Sequence, residues 1–364
     1  MQEFSTQSGI LQINLQAISD NYSIFKNTVG EGKEVAGVLK ANAYGLGLEA
    51  IVKKLTALNC PQFFVATLEE AIALRKVNTS TPVAVLGGLF TGAERDYLQN
   101  NILPVLNTPE EIERWNNIAT KHDQKLPAII HFDTGMNRLG LSADEAQKFI
   151  NQQSDYNAIN IQLIMSHFAC ADEKDHPLTQ KQANDFSDIA KYFPNAKKSL
   201  ANSPGLFRDS SYHHDMARPG FSLYGGNPTP ETANPMNRVV SLNTRILQIR
   251  HVKKGESIGY GAHHVFDKDT VTATIACGYA DGFLRSGSGK ATVYYDEKAC
   301  PVLGRVSMDL ITIEIGHLEK QPEIGSAIEI LGPNQSVDDL ADACGTIGYE
   351  ILTSLGQRYQ REYI

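Results

Sequence analysis

Residues 63–75 read Phe63-Phe64-Val65-Ala66-Thr67-Leu68-Glu69-Glu70-Ala71-Ile72-Ala73-Leu74-Arg75. The first five form a short apolar run of the kind buried in a sheet. Thr67 stands three residues before Glu70, a spacing at which a hydroxyl and a later carboxylate satisfy the free N–H groups of a helix start. One buried strand therefore passes directly into one helix. The same texture recurs at 35–40, 83–86, 102–106, 128–133, 161–165 and 198–201, with an eighth run near 216–218. Amphipathic patterns lie between these runs, and Thr108 before Glu111 and Ser142 before Glu145 repeat the start signal. Apolar strands alternating with helices predict a parallel sheet covered on its outer face. About eight such units in roughly 200–250 residues is the count of a TIM (β/α)8 barrel. A doubly wound open sheet is the competing layout; it would favour a GxGxxG loop after the first strand, and none occurs.

Past residue 237 the texture changes. Segments 239–249, 271–275, 291–295, 310–315 and 327–331 are rich in β-branched residues and are separated by Gly and Pro turns. They predict a mainly-β second domain, closed by a helix starting at Ser336 with Asp339 as its partner carboxylate. The expected division is a barrel over 10–237 and a β-rich domain over 238–364, with an N-terminal strand at 1–9 free to pack against the latter. A chain of 364 residues accommodates two domains.

Composition narrows the function. Hydrophobic residues make up 42% and charged residues 20%, ordinary for a globular chain. The net charge of −8 argues against a nucleic-acid partner, which calls for a basic face. No apolar stretch is long enough to span a membrane. The first residues, Met1-Gln2-Glu3-Phe4-Ser5-Thr6, lack the basic and apolar regions of a signal peptide. The 5 cysteines are scattered without CxxC spacing, as expected of reduced thiols in the cytoplasm.

The unusual polar residues follow the barrel runs. Lys40 ends the first, Asp133 to Arg138 follow the fifth, Ser166 and His167 the sixth, Asn202 to Gly205 the seventh, and Arg218 to Gly220 the eighth. These are the strand ends at which barrel enzymes carry their sites. Lys40 closes an apolar run, where an amine loses proton affinity and becomes a Schiff-base nucleophile. Position alone favours the plainer reading of a strand-end lysine reaching water. Ser203, Gly205, Gly220 and Tyr44 offer a phosphate cradle, although each glycine alone reads first as a turn. An amine and an anion cradle in one barrel mouth point to pyridoxal phosphate, which needs both. His167, Cys170 and His176, or the 213–215 run, supply no closed metal-ligand set at zinc spacing.

With these segments in place, the chain resembles the alanine racemases over nearly its whole length. The resemblance rests on 38–45 (Val-Leu-Lys-Ala-Asn-Ala-Tyr-Gly), 133–140, 166–169, 217–220, 258–261, 278–282 and 304–309, in that order. It implies pyridoxal 5′-phosphate as cofactor, alanine as substrate, and a head-to-tail homodimer. It further implies a two-base interconversion of L- and D-alanine that supplies D-alanine for peptidoglycan. Lys40 would carry the cofactor and act as base on one face, and Tyr260 of the partner subunit would act on the other. A tyrosine's ordinary pKa of about 10 makes it a poor base near neutrality, so the resemblance adds His167, bonded to Tyr260 and to Arg218. Arg218 would face the pyridine nitrogen; a guanidinium does not protonate it as an Asp would, so the ring would stay largely unprotonated and transamination would be disfavoured. Arg138 would touch the cofactor's phenolic oxygen and Met308 would offer its N–H to the substrate carboxylate. Asn202, Ser203, Gly220, Phe221, Tyr44 and Tyr349 would complete the cofactor site. Tyr279 would line the substrate path, with Asp172 and Arg305 nearby.

Two departures stand out. Leu46 replaces a usual histidine, with small expected effect. His131 replaces a lysine that is carbamylated in many members; histidine forms no carbamate, so another anion or a neighbouring side chain would orient Arg138. The alternatives are a serine-tolerant racemase, a non-catalytic pyridoxal-phosphate barrel, and a two-domain decarboxylase. Tyr260 with its β-domain argues against the second, and Ser307-Met308-Asp309 with Arg218 against the third.

Overall fold

A computed structural model describes residues 6–364. Residues 1–5 of the expected N-terminal strand lie outside them. Seven parallel strands follow one another in chain order: Gly37–Val38, Phe63–Val65, Val83–Val85, Ile102–Leu106, Leu126–His131, Ile159–Met165 and Lys197–Ser199. An eighth, Met216–Ala217, pairs in parallel with Glu34–Val35. Ala36 N–H donates to Ala217 O at 2.9 Å, and Arg218 N–H donates to Ala201 O at 2.9 Å. These bonds close the sheet into a ring. The strands are short and mostly buried on both faces; Phe63, Phe64 and Val65 have no exposed surface, whereas Asn160, Gln162 and Lys197 at the strand starts are exposed. That double burial is why they read as unbroken apolar runs rather than as alternating ones.

The helix starts behave as their sequences predict, with one exception. Thr67 and Glu70 form a reciprocal capping box, as do Ser142 with Glu145 and Ser336 with Asp339. At Thr108 only half of the pattern forms: the hydroxyl accepts from Glu111 N–H, but the Glu111 carboxylate accepts from Asn107 N–H at 2.6 Å and Leu89 N–H at 3.1 Å. Pulled toward the preceding loop, it leaves the cap residue's own N–H.

The first barrel run also differs from its reading. Strand pairing stops at Val38, and Lys40 opens a short helical turn, Lys40–Tyr44. Ala41, Asn42, Ala43 and Tyr44 all have φ between 53° and 55°, a left-handed turn built without glycine. Each L-residue there costs about 1–2 kcal/mol, so the surroundings must hold it. Asn42 Oδ1 accepts from Leu48 N–H at 2.8 Å and Glu70 Oε1 from Ala41 N–H at 2.6 Å.

The second domain is antiparallel. Val240–Val252, Thr270–Ile275, Ile311–Glu314, Lys298–Leu303, Thr292–Tyr295 and Ala327–Leu331 pair in that cyclic order, the last returning to the first. Gly9–Ile13 adds to this sheet, antiparallel to Val240–Val252 and parallel to Gln360–Tyr363. We retain the division at 237/238 as a proposal, with Gly9–Ile13 assigned by its pairing to the second sheet. The C-terminal segment returns to the barrel: Arg361 Nη2 donates to Gly45 O at 3.0 Å and Tyr363 Oη donates to Leu46 O at 2.9 Å. Leu46 itself is fully buried. A Cβ on Gly45, whose φ is +82°, would stand 2.4 Å from Leu352 O. Gly45→Ala is therefore expected to lower stability by about 2 kcal/mol, read as a shifted urea midpoint; an unchanged midpoint would show that the turn is not constrained there.

Candidate active site

The C-terminal ends of the barrel strands enclose a cavity of about 410 Å³, within the usual range for a small ligand. Lys40, Tyr44, Arg138, His167, Asn202, Ser203, Arg218, Gly220, Phe221 and Tyr349 all line it. The fold thus brings together these sequence-predicted residues from six separate segments.

Lys40 lies in the wall. Burial chiefly lowers its proton affinity, Arg138 lowers it further, and Glu70 opposes both. Arg218 is 4% exposed; it donates to Ser166 O at 2.5 Å and to Ser199 Oγ, and its guanidinium lies 5.9 Å from the centre of the Phe64 ring. Ser199 Oγ in turn donates to Met216 O at 2.5 Å. Burial weakens the hold of Arg218 on its proton, yet a guanidinium remains charged at neutral pH. No bond joins it to His167 among the described residues, unlike the expected link; the bonds it makes from Nη1 and Nη2 go to the serine and the carbonyl.

Ser203 Oγ accepts from Gly220 N–H at 3.0 Å, and Asn202 Oδ1 accepts from Gly205 N–H at 3.0 Å. A Cβ on Gly220 would stand 2.3 Å from Tyr44 Oη, so only glycine fits there. Phe221 and Tyr349 stack at 4.1 Å, which carries the second domain's helix Gly348–Ser354 to the barrel mouth. Asp172 sits close enough to help hold the Tyr349 hydroxyl in its neutral form, after burial, at a pKa of about 12. An amine at one end and a backbone-and-hydroxyl cradle at the other fit pyridoxal phosphate.

His131 lies in the same wall, 8% exposed. Its Nδ1 meets Asn107 Oδ1 at 2.8 Å. Since the Asn107 amide nitrogen already donates to Val105 O at 3.0 Å, Nδ1 carries the proton and Nε2 is left as an acceptor. Burial first, then Arg218, push its pKa down to about 3. His167 is pushed well below its ordinary value, mostly by burial and then by Arg218 and Arg138. Both rings are neutral at pH 7, so His131 brings no negative charge to Arg138.

Tyr260, Met308 and Tyr279 lie elsewhere, on one edge of the β-domain. They are 70%, 53% and 43% exposed and do not line this chain's cavity. Tyr279 N–H donates to Ser307 O at 3.0 Å and Ala280 N–H to Met308 O at 2.9 Å. A Cβ on Gly261 would lie 3.2 Å from Arg305 Nη1, so Arg305 flanks the Tyr260 turn. The residues weighed as metal ligands separate. His167 faces the cavity, whereas Cys170 and His176 lie with Glu173, their ligand atoms within 4.8 Å of one another. Sequence reading missed Ser199, Asn107 and the second role of Glu70; each acts on a residue far along the chain, which no local spacing signals.

A parallel barrel whose mouth joins a desolvated lysine to an anion cradle, with a β-domain reaching back to it, defines the class of barrel enzymes that carry pyridoxal phosphate. Residues 13–228 match the family model for the alanine racemase N-terminal domain and 239–363 that for its C-terminal domain. An alanine racemase of Rhodospirillum rubrum is 43% identical over 98% of this chain and 96% of its own. A catabolic alanine racemase of Mesorhizobium japonicum is 44% identical over 98% and 93%. The crystal structure of alanine racemase from Bartonella henselae, with covalently bound pyridoxal phosphate, superposes with a TM-score of 0.95 at 38% identity, covering 98% of this chain and 99% of that one. The chain belongs to the alanine racemase family, whose members are isomerases that use pyridoxal phosphate.

The buried histidines carry a pH consequence. The folded pKa of His131 lies near 3 and the unfolded value near 6.5. Between those values the unfolded chain binds the proton and the folded one does not. This contribution is full above pH 6.5 and is lost as the pH falls toward 3. In urea unfolding, the stability advantage of wild type over His131→Gln should shrink by about 1.4 kcal/mol between pH 7.5 and 5.5. A constant difference would mean that His131 titrates alike in the folded and the unfolded chain.

Proposed function

We propose that this chain interconverts L- and D-alanine, as a cytoplasmic homodimer holding pyridoxal 5′-phosphate, and supplies D-alanine for peptidoglycan. The observation that carries this reading is the meeting, in one cavity, of Lys40 with Arg218 and the Ser203–Gly220 cradle. When bound, the cofactor withdraws electrons from the amino acid's α-carbon and acidifies its proton.

Tyr44, Asn202, Ser203, Gly220, Phe221 and Tyr349 hold the cofactor's phosphate end, and Arg138 orients the phenolic side. Lys40 Nζ, weakened as a proton holder by burial and Arg138, takes the α-proton on one face. Tyr260 Oη, supplied by the partner subunit, returns one on the other, with neutral His167 beside it. Such positioned proton transfer is worth roughly 10²–10⁴-fold. Met308 N–H and Arg138 receive the substrate carboxylate, and Tyr279 lines the way in. Arg218, a guanidinium that does not give up its proton near neutrality, would leave the cofactor's ring nitrogen unprotonated, which would weaken the cofactor's electron withdrawal and favour return of the proton to the α-carbon. Support for a site shared between subunits comes from the exposure of Tyr260 and Met308, away from their own chain's cavity. Among the described residues no helix is long and apolar enough to cross a membrane.

The test uses the loaded protein with L-alanine in D₂O. α-Proton exchange with accumulation of D-alanine is expected; cofactor bound without exchange would sink the assignment. Lys40→Ala and Tyr260→Phe should each lose about 100-fold or more. Mixed together, the two variants should recover about a quarter of wild-type activity, because half of the dimers are mixed and each mixed dimer has one intact site. No recovery would place both bases in one chain.

A further inference from the structure

The Glu70 carboxylate does more than cap its helix. Oε2 accepts from Ala66 N–H at 2.8 Å and Thr67 N–H at 3.4 Å, while Oε1 reaches across to Ala41 N–H at 2.6 Å. That N–H belongs to the peptide immediately after Lys40. It opens the left-handed turn, in which four residues in succession hold φ near +54°. Ala66 itself lines the cavity. One side chain thus joins the lysine's own peptide to the end of the neighbouring strand.

Glu111 offers a comparison within the same molecule. It occupies the same place in its helix, three residues after a capping threonine, and it too accepts from the residue before the cap and from the preceding strand's loop. Its clamp ends at Leu89, away from the amine. Of the two glutamates, only Glu70 acts electrostatically on Lys40.

We propose that Glu70 is a positioning residue for Lys40: it fixes the turn that aims the amine into the cavity and keeps a negative charge beside it. The inference rests on Lys40 being the cofactor lysine. The titratable and charged groups that line the cavity with the amine are Tyr44 from its own turn and Arg138, Arg218, His131, His167 and Tyr349 from other elements. Arg138 drives the amine toward its neutral form and Glu70 draws it back. The left-handed turn alone would aim the lysine; the carboxylate also sets the pH at which the amine is free to react.

The test is the pH dependence of pyridoxal phosphate uptake by the full-length protein after cofactor removal, followed by the cofactor's visible absorbance. Glu70→Gln keeps the shape but loses the charge, and its uptake midpoint should fall by about one pH unit. Glu70→Asp keeps the charge on a shorter arm; its midpoint should stay near wild type while its thermal midpoint drops. Glu111→Gln, which removes the charge from the matching clamp, should lower the thermal midpoint alone. An uptake midpoint in Glu70→Gln equal to wild type overturns the proposal, as does an equal shift in Glu111→Gln. If Glu70→Gln does not fold, an uptake midpoint in Glu70→Asp that differs from wild type by about one pH unit overturns it too. Lys40→Ala separates the two levels: uptake with an unchanged visible band would show that Lys40 is not the cofactor lysine, and this inference would fall with that reading.

Discussion

The site depends on a turn that its own residues disfavour. Ala41 to Tyr44 are L-residues in the left-handed region, and their local backbone bonds, such as Gly45 N–H to Ala41 O at 2.8 Å, offset only part of that cost. Strain of this kind persists only where the surroundings over-determine it. Here the restraints come from three directions. Glu70 holds the first N–H from the neighbouring barrel unit, Asn42 Oδ1 bonds forward to Leu48, and the far end of the second domain grips the carbonyls of Gly45 and Leu46. The barrel closes beside this turn and the β-domain docks over it. The two domains are therefore two halves of one mould around a lysine.

Inside the cavity, charge follows from dryness. Lys40, Arg138 and Arg218 put positive character into a low-dielectric space, while His131 and His167 stay neutral because a further cation there is too costly. The result is a pocket that welcomes an anionic cofactor and a carboxylate. His131 acts as a fixed hydrogen-bond partner of Asn107 rather than as a proton carrier. Arg218 is anchored by Ser199 Oγ and Ser166 O, so its charge is held in place.

Much of this was legible in the sequence, for a physical reason. A strand buried on both faces writes an unbroken apolar run, and a capped helix writes its start within four residues; both signals are local. So the barrel and the residues at its strand ends could be read. What was not legible joins distant parts. Gly9–Ile13 looks like any strand until it pairs across more than two hundred positions with Val240–Val252. Lys40 looked like the last residue of its strand because the run is apolar up to it, whereas the backbone turns away after Val38. Glu111 carries the capping signature and spends its carboxylate elsewhere, since the preceding loop offers it a free N–H. Asn107, which fixes the His131 ring, is marked by no spacing at all.

The grip of Arg361 on Gly45 spans 316 positions. During synthesis, residues 40–47 leave the ribosome long before residues 361–363 exist. The barrel framework can form from contacts close in sequence, but the lysine's turn gains its last restraint only when the second domain arrives, the slowest kind of closure. A chain made through Tyr349 but not yet to Arg361 can therefore own every residue of the cavity and still lack a finished one. The enzyme's competence is timed by its tail.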